Sequence, residues 1–215
     1  MKPSNQIERR SLTHEFRVSD PGQPTTIGGY AAVFDSPGDA YYWIEELDPH
    51  CFDAVMAANP DCRALFNHNP DHVLGRTTAG TLSLSIDTRG LAYTINPPDT
   101  QLANDLIVSM RRKDITGSSF GFVVARDQWT DNADGTLTRR ILEIDQLLAV
   151  SPVTYPAYGA ADSQVRSIPG SIPAEFRSRI EARAEQKSKP VELIKHEDEQ
   201  RRLNTLTLIA LEAAS

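Results

Sequence analysis

Apolar and polar residues alternate through Leu82, Leu84 and Ile86, and again through Leu91, Tyr93 and Ile95, on either side of Asp87-Thr88-Arg89-Gly90. A period of two on both flanks of a glycine-bearing turn predicts a β-hairpin, because successive strand residues face opposite sides of a sheet. A longer hairpin is predicted where residues 117–129 and 137–150 flank the turn sequence DNADG. TTIGGYAAVFD reads as a strand, and RALFNH as a short one. WIEELDPHCFDAVMAANP reads as a strand end, a turn at Asp48-Pro49 and a short helix from Phe52 to Ala58. In TQLANDLIVSMRRKD the apolar residues Leu102, Leu106, Ile107 and Met110 have the spacing of an amphipathic helix. The body thus carries about seven mostly antiparallel strands and a few helices, a pattern that predicts a β-rich α+β barrel or sandwich with helices packed outside.

The pattern changes near residue 163. RSRIEARAEQK and VELIKHEDEQRRLNTLTLIALEAA are rich in helix-forming Arg, Glu, Ala and Leu. SQVRSIPGSIP, with two prolines and a glycine, reads as a linker. The expected organisation is a body over 1–162, a linker over 163–172 and a helical tail over 173–215.

A hydrophobic content of 40% and a net charge of −7 change this picture only by exclusion. No basic footprint points to nucleic acid. No apolar run reaches the ~20 residues of a membrane helix, and the N-terminus lacks the apolar core of a secretory signal. Two cysteines, Cys51 and Cys62, make no disulfide scaffold. A reduced, cytoplasmic setting is expected.

Candidate chemistry centres on ITGSSFGFVV, where Ser118 and Ser119 open a strand-like run. A serine needs a base to become a nucleophile. Among His14, His50, His68, His72 and His196, His68 ends an apolar segment and can point into a cleft. With the hairpin centred on the middle of DNADG, Ser119 falls opposite Leu147, and Asp145, Glu143 and Ala149 share its face. His68, Ser119 and Asp145 then form a chemically sensible triad, with Glu143 as the alternate acid. Competing readings stay open on these residues alone. The serines suit a turn, His68 suits a structural role, and Asp145 suits an ion pair with Arg139 or Arg140. HNPDH offers metal ligands without the helical spacing of a zinc protease, and either cysteine could be a nucleophile. Gly-Ser-Ser-Phe-Gly formally fits a nucleophile elbow, but the residues after it read as strand rather than helix.

Five ordered blocks resemble the prohead (capsid maturation) serine proteases of HK97-type tailed phages: IGGYAAVFDSP, IEELDPHCFDAVM, ALFNHNPDHVLGRTTAGTLSLSIDTRGLAYTINPPDT, DITGSSFGFVV and LLAVSPVTYPAYGAADS. The similarity spans about residues 27–163. It implies that His68 and Ser119 are catalytic and that an acidic residue ahead of the closing block, Asp145 or Glu143, is the third member, of which the hairpin geometry above favours Asp145. It also implies an assemblin-like β-barrel, often a homodimer, that cleaves scaffold, the major capsid protein precursor and itself inside the procapsid in the host cytoplasm. No metal or cofactor, nucleic acid or membrane is implied. By analogy, Arg139 or Arg140, with backbone N–H groups near Ser119 or in the GRTTAG loop, would assist the oxyanion. The tail would serve for docking or be removed by self-cleavage. Ala149 stands where the family often has Glu, the one feature favouring a non-catalytic assembly protein that kept the fold.

Overall fold

A computed structural model describes residues 6–13, 16–19, 24–36, 38–39, 43–156 and 172–188. Its strands are β1 (Glu8–Thr13), β2 (Arg17–Val18), β3 (Ile27–Val33), β4 (Gly38–Asp39), β5 (Ile44–Leu47), β6 (Arg63–Leu65), β7 (Val73–Arg76), β8 (Leu82–Ile86), β9 (Gly90–Ile95), β10 (Gly117–Asp131) and β11 (Leu137–Val153). The helices are α1 (Asp53–Ala57), α2 (Gln101–Arg111) and α3 (Ala174–Ser188). The fold is α+β and strand-rich.

The described strands form two hydrogen-bonded sheets with no closed barrel. One has the order β1-β10-β11-β5-β4, with β6 on β11 and β7 on β6; the other runs β2-β3-β9-β8. Strand β11 is long enough to pair in parallel with β5 near its start and with β6 near its end. Of the extra strands beyond the expected seven, β2, β4 and β7 are too short to show a period of two, and β1 is largely polar.

The two sheets share one core. Ile27, Ala32, Leu91, Tyr93 and Ile95 from one meet Phe120, Phe122, Val124, Ile144 and Val150 from the other. Helix α2 buries Ala103, Leu106, Ile107 and Met110, and Thr100 caps its start by accepting from the Ala103 N–H. At Gly90 a Cβ would lie 2.0 Å from the Ala32 carbonyl oxygen, so only glycine permits that β3–β9 contact.

The chain divides into two compact units, Met1–Pro173 and Ala174–Ser215. Of the second, α3 is described; the rest of the expected tail, and residues 163–171 of the linker, lie outside the described residues. No helix among the described residues is long and apolar enough to cross a membrane.

Candidate active site

The adjacent serines that open β10 have opposite fates, as strand geometry requires. Ser118 points into the space between the sheets, where its hydroxyl meets the Tyr93 hydroxyl at 3.1 Å. Burial pushes that Tyr93 phenol well above its usual range. Ser118 is therefore a satisfied core residue joining the two sheets. Ser119 faces the other way, and His68 Nε2 lies 2.6 Å from its Oγ.

Local backbone brings His68 there. After β6 the chain enters a 3-10 turn over Phe66–His68, in which Asn67 and His68 have φ of 54° and 55°. Consecutive left-handed conformations are uncommon outside glycine, and Asn tolerates them best. The Asn67 amide holds the turn to the end of β11: it accepts from the Thr154 N–H at 2.8 Å and donates to Thr154 Oγ1 at 3.1 Å. Asn67 is a positioning residue that the sequence showed only as part of an Asn-His pair.

On its far side, His68 Nδ1 meets a hydroxyl. Ser151 Oγ lies 3.1 Å from it, and Ser151 pairs directly with Ser119 across the hairpin. Asp145 is exposed and accepts from the Gln146 amide, while Glu143 is paired with Arg126. Ser119 therefore faces Ser151 rather than Leu147. Half of that four-residue difference comes from a turn centred on Asp134, which Asp131 and Leu137 bracket, rather than on Ala133. The other half comes from register shifts between Gly121 and Asp127. Asp145 sits beside Ile144, which pairs with Val124, six residues along β11 from Ser151 and so about 20 Å away at strand rise. The third member of the hydrogen-bonded set is Ser151, and its position two residues after Ala149 was the available signal.

Burial, reinforced by the nearby Arg9 charge, lowers the His68 imidazole to about 4, so it is neutral at ordinary pH and able to take a proton. Ser119 is fully buried, and its hydroxyl donates to the Arg10 carbonyl of β1 at 2.8 Å. Arg139 does not face Ser119. It is buried in an ionic cluster, bonded to Glu8 at 2.6 and 2.9 Å, to Asp127 at 2.7 Å and to Glu45 at 3.2 Å. Arg140 pairs with Asp35, Glu46 and Asp48. Burial holds the Cys51 and Cys62 thiols up at about 12, which removes their nucleophilic character. His72 stacks on Phe66, and among the described residues no group of three or more His, Cys, Asp or Glu is placed to hold a metal.

A strand-borne serine hydroxyl within hydrogen-bond distance of a neutral imidazole, itself held by a second hydrogen bond, is the pair of groups on which serine hydrolases rely. The chain belongs to the caudovirus prohead serine protease family, whose model matches residues 13–170, well over half its length. It is also similar to the solved structure of the bacteriophage T4 capsid assembly protease gp21, with 11% identity, coverage of 74% of this chain and 100% of that one, and a TM-score of 0.46. Among curated proteins none matches significantly.

The contact with Ser151 yields a measurable expectation. A neutral hydrogen bond is worth about 1 kcal/mol, so Ser151→Ala should lower kcat by roughly 5- to 10-fold and leave KM unchanged. Asp145→Ala should change neither. Steady-state cleavage rates check both, and a large loss confined to Asp145→Ala would restore the carboxylate to the site.

Proposed function

We propose that this chain is the serine endopeptidase of procapsid maturation, with Ser119 as nucleophile, His68 as its general base and Ser151 orienting His68. The observation that carries this is the 2.6 Å approach of His68 Nε2 to Ser119 Oγ in a chain of the prohead protease family. His68 takes the Ser119 proton as Oγ attacks a peptide carbonyl. It then returns that proton to the leaving amine, and water releases the acyl-enzyme by the same route. The substrates in this reading are scaffold, the scaffolding segment of the major capsid protein precursor and the enzyme's own chain. The setting is the procapsid interior in the host cytoplasm, and the enzyme acts as a homodimer. The unit from Ala174 onward serves as a docking tail or a self-removed one. The two sheets with their shared core are taken as an opened form of the assemblin-like barrel.

Incubating the protein with its matching capsid precursor tests the proposal by intact mass. Ser119-dependent shortening of the precursor is expected. An unchanged precursor, with procapsids still assembling when His68 or Ser119 is replaced, would favour the non-catalytic assembly reading, to which Ala149 and the presence of the Ser151 hydroxyl on His68 Nδ1 lend the specific support.

The pH profile follows from the lowered imidazole. The base works only when neutral, so kcat/KM should stay flat from pH 8 down to about 5.5 and fall towards the His68 value of about 4. An acid limb near the ordinary histidine value of about 6.5 would mean that His68 is solvated in the working enzyme.

A further inference from the structure

Strand β1 occupies the free edge of β10 at the point where a peptide substrate has to lie. Ser11 stands opposite Ser119 and Arg10 opposite Phe120, and the carbonyl touching the Ser119 hydroxyl is that of Arg10. With Ser119 fully buried, no other peptide carbonyl reaches its Oγ while β1 is in place. The Arg10 side chain is held as a ligand would be. Its guanidinium donates to both oxygens of Glu45 and to Glu8, and it lies over the Phe122 ring.

Building on Ser119 as the nucleophile, we infer that the β10 edge is a binding site for an extended peptide bearing arginine, and that β1 fills it in cis as a removable, self-inhibitory strap. Strand addition to a sheet edge supplies the backbone hydrogen bonds of such a site, and side-chain pockets supply its selectivity. Here the pocket is Glu45. Two parallel bonds to one carboxylate suit the planar fork of arginine and not the single ammonium of lysine. Arg139 retains Asp127 and Glu45 when β1 leaves, so the carboxylate that selects arginine keeps its own support.

The strap blocks chemistry in a second way. A hydroxyl has one proton to donate. With that proton on the Arg10 carbonyl, the 2.6 Å contact must be a donation from His68 Nε2–H to Ser119, and Nδ1 must accept from Ser151. That tautomer cannot deprotonate Ser119. Removing β1 releases the Ser119 proton towards Nε2 and lets Nδ1–H donate to Ser151. Nearly all of β1 precedes the residues matched by the family model.

The test compares labelling of Ser119 by a fluorophosphonate in the full-length protein and in Arg10→Ala, with thermal melting followed for both. Loosening the strap should speed labelling by about 10-fold or more, in proportion to the open fraction. A synthetic peptide of residues 6–13 (QIERRSLT) should slow labelling of the variant, and the same peptide with alanine for Arg10 should not. Equal labelling rates with unchanged melting, or indifference to the peptide, would overturn the strap while leaving Ser119 as nucleophile. Unfolding of Arg10→Ala would make β1 an obligatory structural strand and also overturn it. Absence of labelling in both proteins would sink the nucleophile reading itself.

Discussion

Ser119→Ala is expected to lower the rate of capsid-precursor cleavage by about 10⁴-fold or more, with substrate binding retained. The hydroxyl lies 2.6 Å from His68 Nε2, and Cys51 and Cys62 are buried with their thiols held up at about 12. His68→Ala should cost a similar factor. Because the two act as one unit, the double variant should be no slower than either single one. Single-turnover cleavage of the precursor by the three variants measures this. Multiplicative losses would mean that His68 and Ser119 serve separate steps.

Arg139→Met should be the most destabilising single change, by about 3–5 kcal/mol, equivalent to a fall in Tm of roughly 10 °C for a body of this size. Arg139 is completely buried, and the side chains of Glu8, Glu45 and Asp127 around it are 2%, 6% and 4% exposed. Burial alone would raise the Glu45 carboxyl, but the charges of Arg10 and Arg139 outweigh it and hold Glu45 down to about 2. Without Arg139, Glu8 and Glu45 would be left to share Arg10, and the buried Asp127 would lose the bond it accepts from Arg139. The sign with pH follows. In the native protein the Glu45 contribution is complete above its unfolded value and is lost as pH falls towards 2. In the variant the crowded carboxylates would take up protons on acidification, so the stability gap between the two should narrow at low pH. Thermal melts at pH 7 and pH 4 check this, and a gap independent of pH would point to lost packing instead.

Much of the frame was legible where burial imposes a period. The β8–β9 hairpin and helix α2 announce themselves because one face of each is apolar, and Leu106, Ile107 and Met110 are buried as their spacing requires. The proximity of His68 and Ser119 was reachable from the motifs around them. β1 was not, because ERRSLT carries no alternation: its buried positions are filled by Glu8 and the half-buried Arg10, which enter the interior as ion pairs rather than as hydrocarbon. The partner of His68 was hidden for a different reason. A face assigned by counting from a turn survives only if no residue bulges, and β10 and β11 shift register four times between Gly121 and Asp127. The count landed on Asp145, whereas the chain placed Ser151 across from Ser119.

The hydrogen bond between Ser118 and Tyr93 has a practical consequence. A serine next door to a nucleophile would ordinarily threaten to rescue a knock-out, but this one is turned through the sheet and committed to a phenol on the opposite side. A chain carrying Ser119→Ala therefore cannot recruit Ser118 as a reserve hydroxyl. It can serve as a bait that captures its uncut target and allows the complex to be isolated whole.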